Sequence, residues 1–139
     1  MLSAMANADL PELGASAPFL IVQDVTRSAT FYRDRLGFQL VFATPDQDPF
    51  FAILARGGAR LMLKAILPEI QAVPNHTRHP WAKWDAYIHA PDPDSVAAEL
   101  AARGASFSAA LSDTEDGLRG FEVQDPDAYV IFFGRSREG

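Results

Sequence analysis

The chain has 139 residues, 48% hydrophobic and 22% charged, enough for one domain with its own core and too apolar for general disorder. Its net charge of −6 argues against a nucleic-acid surface, which needs clustered Lys and Arg to meet phosphates. Cysteine is absent, which excludes disulfides, thiolate metal sites and a Cys nucleophile, and no apolar run nears the roughly 20 residues that cross a bilayer.

The opening MLSAMANADL has neither a basic start nor a continuous apolar stretch, so no secretory signal is expected and a cytoplasmic location is. Residues 1–16, with Pro11 and Gly14, read as a loosely attached tail. Ala17–Val22 reads as a strand, and Asp24 sits where a helix N-cap belongs. Ser28, Phe31, Tyr32 and Leu36 then follow at helical spacing, and Gly37 ends the helix. Three strands are expected at Phe38–Ala43, Phe50–Ala55 and Ala59–Lys64, with Arg56-Gly57-Gly58 turning the last pair. A connector holding Pro68, Pro74 and Pro80 follows.

The second half repeats this plan. Trp84–His89 reads as a strand, Asp92-Pro93 as an N-cap with proline at the first helical position, and Gly104 as the helix end. Strands are expected at Ala105–Ala110, Gly120–Val123 and Tyr129–Phe133, with turns at Thr114–Gly117 and Asp125–Asp127. His89 beside Asp92 reads as a helix-start hydrogen bond. Two strand-helix-strand-strand-strand units of nearly equal length indicate an internal duplication.

Two stretches carry a family resemblance. One runs from Val22 through Asp24, Ser28, Phe31-Tyr32 and Leu36-Gly37 to Phe38. The other comprises Asp92-Pro93-Asp94, Leu100 to Gly104, and Phe121 to Asp125-Pro126-Asp127-Ala128-Tyr129. The chain resembles the glyoxalase/bleomycin-resistance/dioxygenase (vicinal oxygen chelate) superfamily, nearest to its bleomycin-resistance-like members. The resemblance implies an α+β fold over residues 17–135, in which two βαβββ modules, 17–65 and 81–135, form a curved mixed sheet around a ligand cup. It also implies a homodimer, since family cups are commonly completed between subunits. Ala128 stands where the family usually has glycine, so a turn with positive φ there would cost alanine about 1 kcal/mol.

Enzymatic relatives hold a divalent metal at four cup positions, which by register fall here on Ala17, Met62, Asp85 and Phe132. Of these only Asp85 offers an oxygen, and one carboxylate falls short of three protein ligands. Neither metal nor other cofactor is therefore expected. His76 and His79 in the connector are the residues from which a displaced site would be rebuilt. No nucleophile constellation or phosphate-cradling loop is present, and no catalytic residue is assigned.

If the four positions face the cup, strand alternation brings Phe19, Ile21, Arg60, Lys64, Tyr87 and Val130 with them, and leaves Glu122 inward between Phe121 and Val123. The expected ligand-binding set is Phe19, Arg60, Met62, Trp81, Trp84, Asp85, Tyr87, Glu122 and Phe132. An apolar pocket with a few charged anchors suits a small organic molecule. The same alternation is produced by a filled cup in which Arg60 pairs with Glu122. Metal-independent binding of a small, partly aromatic ligand, with resistance by sequestration, is the leading expectation. A metal-dependent lyase or dioxygenase with displaced ligands, and a regulatory domain with a filled cup, are the alternatives.

Overall fold

The structure, a computed structural model, describes residues 10–138. Residues 10–18 carry neither helix nor strand; of the tail expected over 1–16, residues 1–9 lie outside the described residues. The first module runs β1 (Phe19–Ile21), α1 (Val25–Asp34), β2 (Gln39–Thr44), β3 (Phe51–Arg56) and β4 (Ala59–Lys64). The second repeats it as β5 (Ala86–His89), α2 (Pro93–Ala102), β6 (Phe107–Asp113), β7 (Leu118–Gln124) and β8 (Val130–Ser136). Each module makes a four-stranded mixed sheet, in the orders β1-β4-β3-β2 and β5-β8-β7-β6. The first and fourth strands of each module pair in parallel, and the remaining pairs are antiparallel.

Local chemistry sets the element ends. Asp24, in extended backbone, accepts the Arg27 N–H at 3.0 Å and so caps α1. Asp92 caps α2 through the Ser95 N–H at 3.2 Å, while its other oxygen accepts the Ser95 hydroxyl at 2.7 Å. Serine thus replaces His89 as the partner expected at that helix start, because it lies one turn on and reaches both donors inward. Gly37 and Gly104, at φ 73° and 87°, close the two helices in backbone that side chains rarely adopt. Strand β1 is shorter than expected, yet its pairing runs from the Pro18 carbonyl, which accepts the Met62 N–H, to the Val22 N–H, which donates to Lys64. Strands β6 and β7 reach further toward their shared turn, where the Thr114 N–H meets the Leu118 carbonyl at 2.8 Å.

Each helix packs on one face of its own sheet. That face is built from alternate strand residues: Leu54, Leu61 and Leu63 in the first module, and Phe121, Val123, Ile131 and Phe133 in the second. Tyr32, Leu36 and Leu100 cover them from the helix side and are fully buried, as their helical spacing predicts. Burying each such side chain stabilises the fold by about 1.5–3 kcal/mol.

The turn between β7 and β8 binds the second module to the first. The Tyr32 hydroxyl donates to Asp125 at 2.7 Å, while the other Asp125 oxygen accepts the N–H groups of Asp127 and Tyr129. Asp127 in turn accepts from Ser28 and Arg27 of α1, and the Tyr129 hydroxyl donates to the Ile21 carbonyl at 2.6 Å. On another face Arg56 pairs with Glu99 and Arg35 donates to the Arg103 carbonyl. The motif that carries the family resemblance is therefore a clasp between modules. Ala128 within it has φ 70°, the left-handed backbone in which alanine is strained by about 1 kcal/mol.

Candidate functional site

The sheet face turned away from each helix carries the other set of alternate residues. In the second module Tyr87, Phe132 and Glu122 are direct partners across β5, β8 and β7, so their side chains share that face. Trp84, just before β5, stacks on Phe132 with ring centroids 4.4 Å apart, and Tyr87 stacks on it at 5.5 Å. Phe132 itself is only 2% exposed. It is the base of the pile, and the outer faces of Trp84 and Tyr87 are what a ligand would meet.

Two glycines make this stack possible. Gly120 and Gly134 are cross-strand partners, and the Phe132 ring folds back over both. A Cβ on Gly120 would lie 2.5 Å from Phe132 Cζ, and one on Gly134 would lie 2.5 Å from Phe132 Cε2. Each would also press on backbone, at the carbonyls of Phe133 and Arg119 respectively. The Gly134 carbonyl accepts the Tyr87 hydroxyl at 3.3 Å, which fixes the upper ring as well.

Glu122 stands beside the rings. One carboxylate oxygen accepts the Trp84 indole N–H at 3.1 Å, and the other accepts the Ser108 hydroxyl at 3.3 Å. Both donors are neutral, and among the described residues Glu122 makes no ion pair with a cation. The arrangement offers flat aromatic surface with one anion at its edge, which favours a planar molecule carrying positive charge.

In the first module, Phe19, Met62, Ile53 and Phe42 form one row across β1, β4, β3 and β2. Phe51 adds its ring beside Phe19 at 6.5 Å and Phe42 at 6.2 Å. Phe19 and Phe42 are about half exposed, so this face presents apolar surface; Leu40, also half exposed, is paired with Leu54 and belongs to the opposite face. Lys64 lies over the Phe50 ring at 4.8 Å.

Of the residues singled out from sequence, Trp84, Tyr87, Phe132 and Glu122 converge on one sheet face, and Phe19 and Met62 share the other. Trp81 lies apart, stacked on His79 at 4.8 Å and 73% exposed. Arg60 is on β4 and lines a cleft between the modules; among the described residues it makes no ion pair with Glu122. Asp85 is engaged by the backbone: its two oxygens accept the N–H groups of Asn75 and Val130, both at 2.8 Å. It thereby ties the connector to β8.

The four positions that would hold a metal in enzymatic relatives do not fit one here. Ala17 and Phe132 have no donor atom, Met62 offers a thioether, and both Asp85 oxygens already serve backbone donors. Among the described residues no group of three or more His, Asp or Glu side chains stands close enough to hold an ion. His76 is turned to the Ala128 carbonyl at 2.8 Å.

Phe42 and Ser108 are site-face residues that the sequence reading did not single out. A bulge between Leu40 and Phe42 shifts the register of β2 by one and carries Phe42 onto the face of Met62. A similar irregularity next to Ala109 lies where Ser108 reaches Glu122.

Comparison with known proteins agrees with this architecture. The family model for the glyoxalase/bleomycin resistance protein/dioxygenase superfamily matches residues 14–133. Among solved structures, TioX from Micromonospora sp. ML1 superimposes with a TM-score of 0.69 at 21% identity, covering 89% of this chain and 99% of its own. The bleomycin-binding protein of Streptomyces verticillus, solved with copper(II)-bleomycin, gives 0.64 at 25% identity, covering 89% and 97%. TnmS3, an antibiotic binding protein from Streptomyces sp. CB03234, gives 0.67 at 20% identity, covering 91% and 98%. A search of curated proteins found no match. With its duplicated βαβββ modules, its Asp-capped helices and a family match over most of its length, the chain belongs to the glyoxalase/bleomycin resistance protein/dioxygenase superfamily.

Proposed function

We propose that this protein binds a small, planar, partly aromatic organic molecule without a metal, and protects its host by sequestering that molecule in the cytoplasm. The observation that carries the reading is the Trp84–Phe132–Tyr87 stack with Glu122 at its edge. Stacking supplies affinity to any flat ring system, and the carboxylate selects those bearing positive charge. Sequestration requires affinity and no bond-making, which agrees with a donor set unsuited to a divalent ion. Structural neighbours include proteins that bind bleomycin and other antibiotics, and this supports the class of ligand. A second copy of the chain would cover the apolar face of the first module and complete the cup.

The test uses the protein after EDTA treatment, titrated with metal-free bleomycin and with copper(II)-bleomycin while tryptophan fluorescence and melting temperature are followed. Saturable quenching and a rise in melting temperature are expected, because a ligand that binds only the native state stabilises it. Trp84→Ala should weaken binding by about tenfold or more, as truncating an aromatic anchor does. Binding that appears only after a divalent ion is restored to the protein, or that is indifferent to Trp84, would sink the reading.

A further inference from the structure

A concave region lies between the modules and meets the aromatic stack at Tyr87. It is a cleft of about 690 Å³. One wall is the β3–β4 hairpin with residues 15–18, and the other is β5 with the start of α2. Phe38, Ile88, Ala90, Val96 and Phe133 make its interior apolar. Tyr87 is shared with the stack, but its hydroxyl is held at Gly134.

The charge of the lining is the informative feature. The chain has 18 acidic and 12 basic residues, yet the ionisable groups lining this cleft are Arg56, Arg60, His89 and Tyr87, with no carboxylate among them. Arg56 is fixed by the Leu36 carbonyl at 2.9 Å and by Glu99. Arg60 is exposed and makes no hydrogen bond or ion pair among the described residues, so its five donors are free for a ligand. Gly57 and Gly58, at the mouth, leave open space where a side chain would stand.

We infer that the cleft is a binding site for a small amphipathic anion, an aryl or medium-chain carboxylate, seated with its apolar body between Phe38, Val96 and Phe133 and its carboxylate toward Arg60 and His89. An entirely apolar molecule would leave the arginine unused, and a small dianion would find the apolar walls costly to enter. The volume lies within the roughly 300–1,000 Å³ range of small-molecule sites and leaves room for about a dozen non-hydrogen atoms. Guanidinium recognises carboxylate through paired, charge-assisted hydrogen bonds, which gives the site its preference for this headgroup. The cleft adjoins the stack at Tyr87, and its ligand is opposite in charge to the cationic aromatic molecule proposed there.

The probe is 4-phenylbutyrate, titrated into the full chain while backbone and indole N–H resonances are followed by nuclear magnetic resonance. Saturable shifts are expected at Gly57, Gly58, Ala59 and Ala90, with saturation below about 10 mM for a ligand of this size. The neutral isostere 4-phenylbutanamide should bind about tenfold more weakly, and Arg60→Gln should weaken the carboxylate by a similar factor. Arg60 is exposed, so that variant keeps the fold, and an unchanged spectrum away from the cleft verifies it. Three results would each overturn the inference: shifts confined to the Trp84 indole, equal affinity for acid and amide, or no saturation.

Discussion

At the scale of single residues, glycine does more for this site than its lack of a side chain suggests. The Phe132 ring occupies the space that a Cβ on Gly120 or Gly134 would take, and Trp84 and Tyr87 rest on that ring. Gly134→Ala therefore has to move either the ring or the neighbouring strand. Overpacking of this kind costs about 1–3 kcal/mol, and a displaced Phe132 would no longer align the rings above it. The variant should melt at lower temperature, change the near-ultraviolet circular dichroism of the tryptophans, and lose ligand quenching. A variant that melts like the parent with an unchanged aromatic signal would show that the stack does not rest on these glycines. Asp85 shows the complementary lesson. Its residue type made it the one possible metal ligand among the four family positions, but both oxygens serve the backbone of Asn75 and Val130. Type and strand position can place a carboxylate, and only the folded connector shows what it accepts.

At the scale of elements, the turn between β7 and β8 couples the two modules through a buried acid. Burial raises Asp125 from an ordinary 3.8 to about 6, outweighing the hydrogen bonds from Tyr32, Tyr129 and Asp127 that favour its charged form. Burial and the facing Asp125 also push the Tyr32 phenol up, so it stays a donor. An acid whose folded pKa is raised binds its proton more tightly in the native state. Its contribution to stability is therefore full below about pH 4 and is lost as pH rises through about 6. The size is about 3 kcal/mol between those limits. Asp125→Asn keeps an oxygen for the two N–H groups and removes the titration. The stability of the parent relative to this variant, from denaturant unfolding, should fall between pH 4.5 and pH 7.5; a difference that is flat or rises would refute the linkage. The elements themselves were legible because their ends obey local chemistry: Asp24 and Asp92 cap, Gly37 and Gly104 terminate, and alternation separates Leu61 and Leu63 from Met62. Alternation failed where the strands are irregular. The bulge after Leu40 depends on how β2 meets β3, a tertiary matter, so Phe42 could not be assigned to its face by counting along the strand.

At the scale of the whole molecule, the duplication predicts two modules, but it does not say how their faces are used. Arg60 and Glu122 were read as possible partners within one cup; they stand on different sheets, one lining the intermodule cleft and the other bonded to Trp84 and Ser108. The remaining large feature is the apolar edge of the first module, where Phe19 and Phe42 on one face of the sheet, and Leu40 and Val41 beside them on β2, are each about half exposed. A monomer in water rarely keeps so many contiguous large apolar side chains uncovered. No described helix or strand covers them, and strand β2 leaves its outer edge unpaired at the same place. A symmetric pair of chains would bury these residues against a second copy, as the proposed completion of the cup requires. Phe42→Glu tests this directly, because a charge at a half-exposed edge position is harmless to a monomer and costly inside an interface. The parent should sediment as a dimer and the variant as a folded monomer, with ligand quenching weakened if both chains contribute to the site. A parent that sediments as a monomer at micromolar concentration would leave the site to one chain. Ligand binding would then have to be complete on the Trp84 stack and its own sheet.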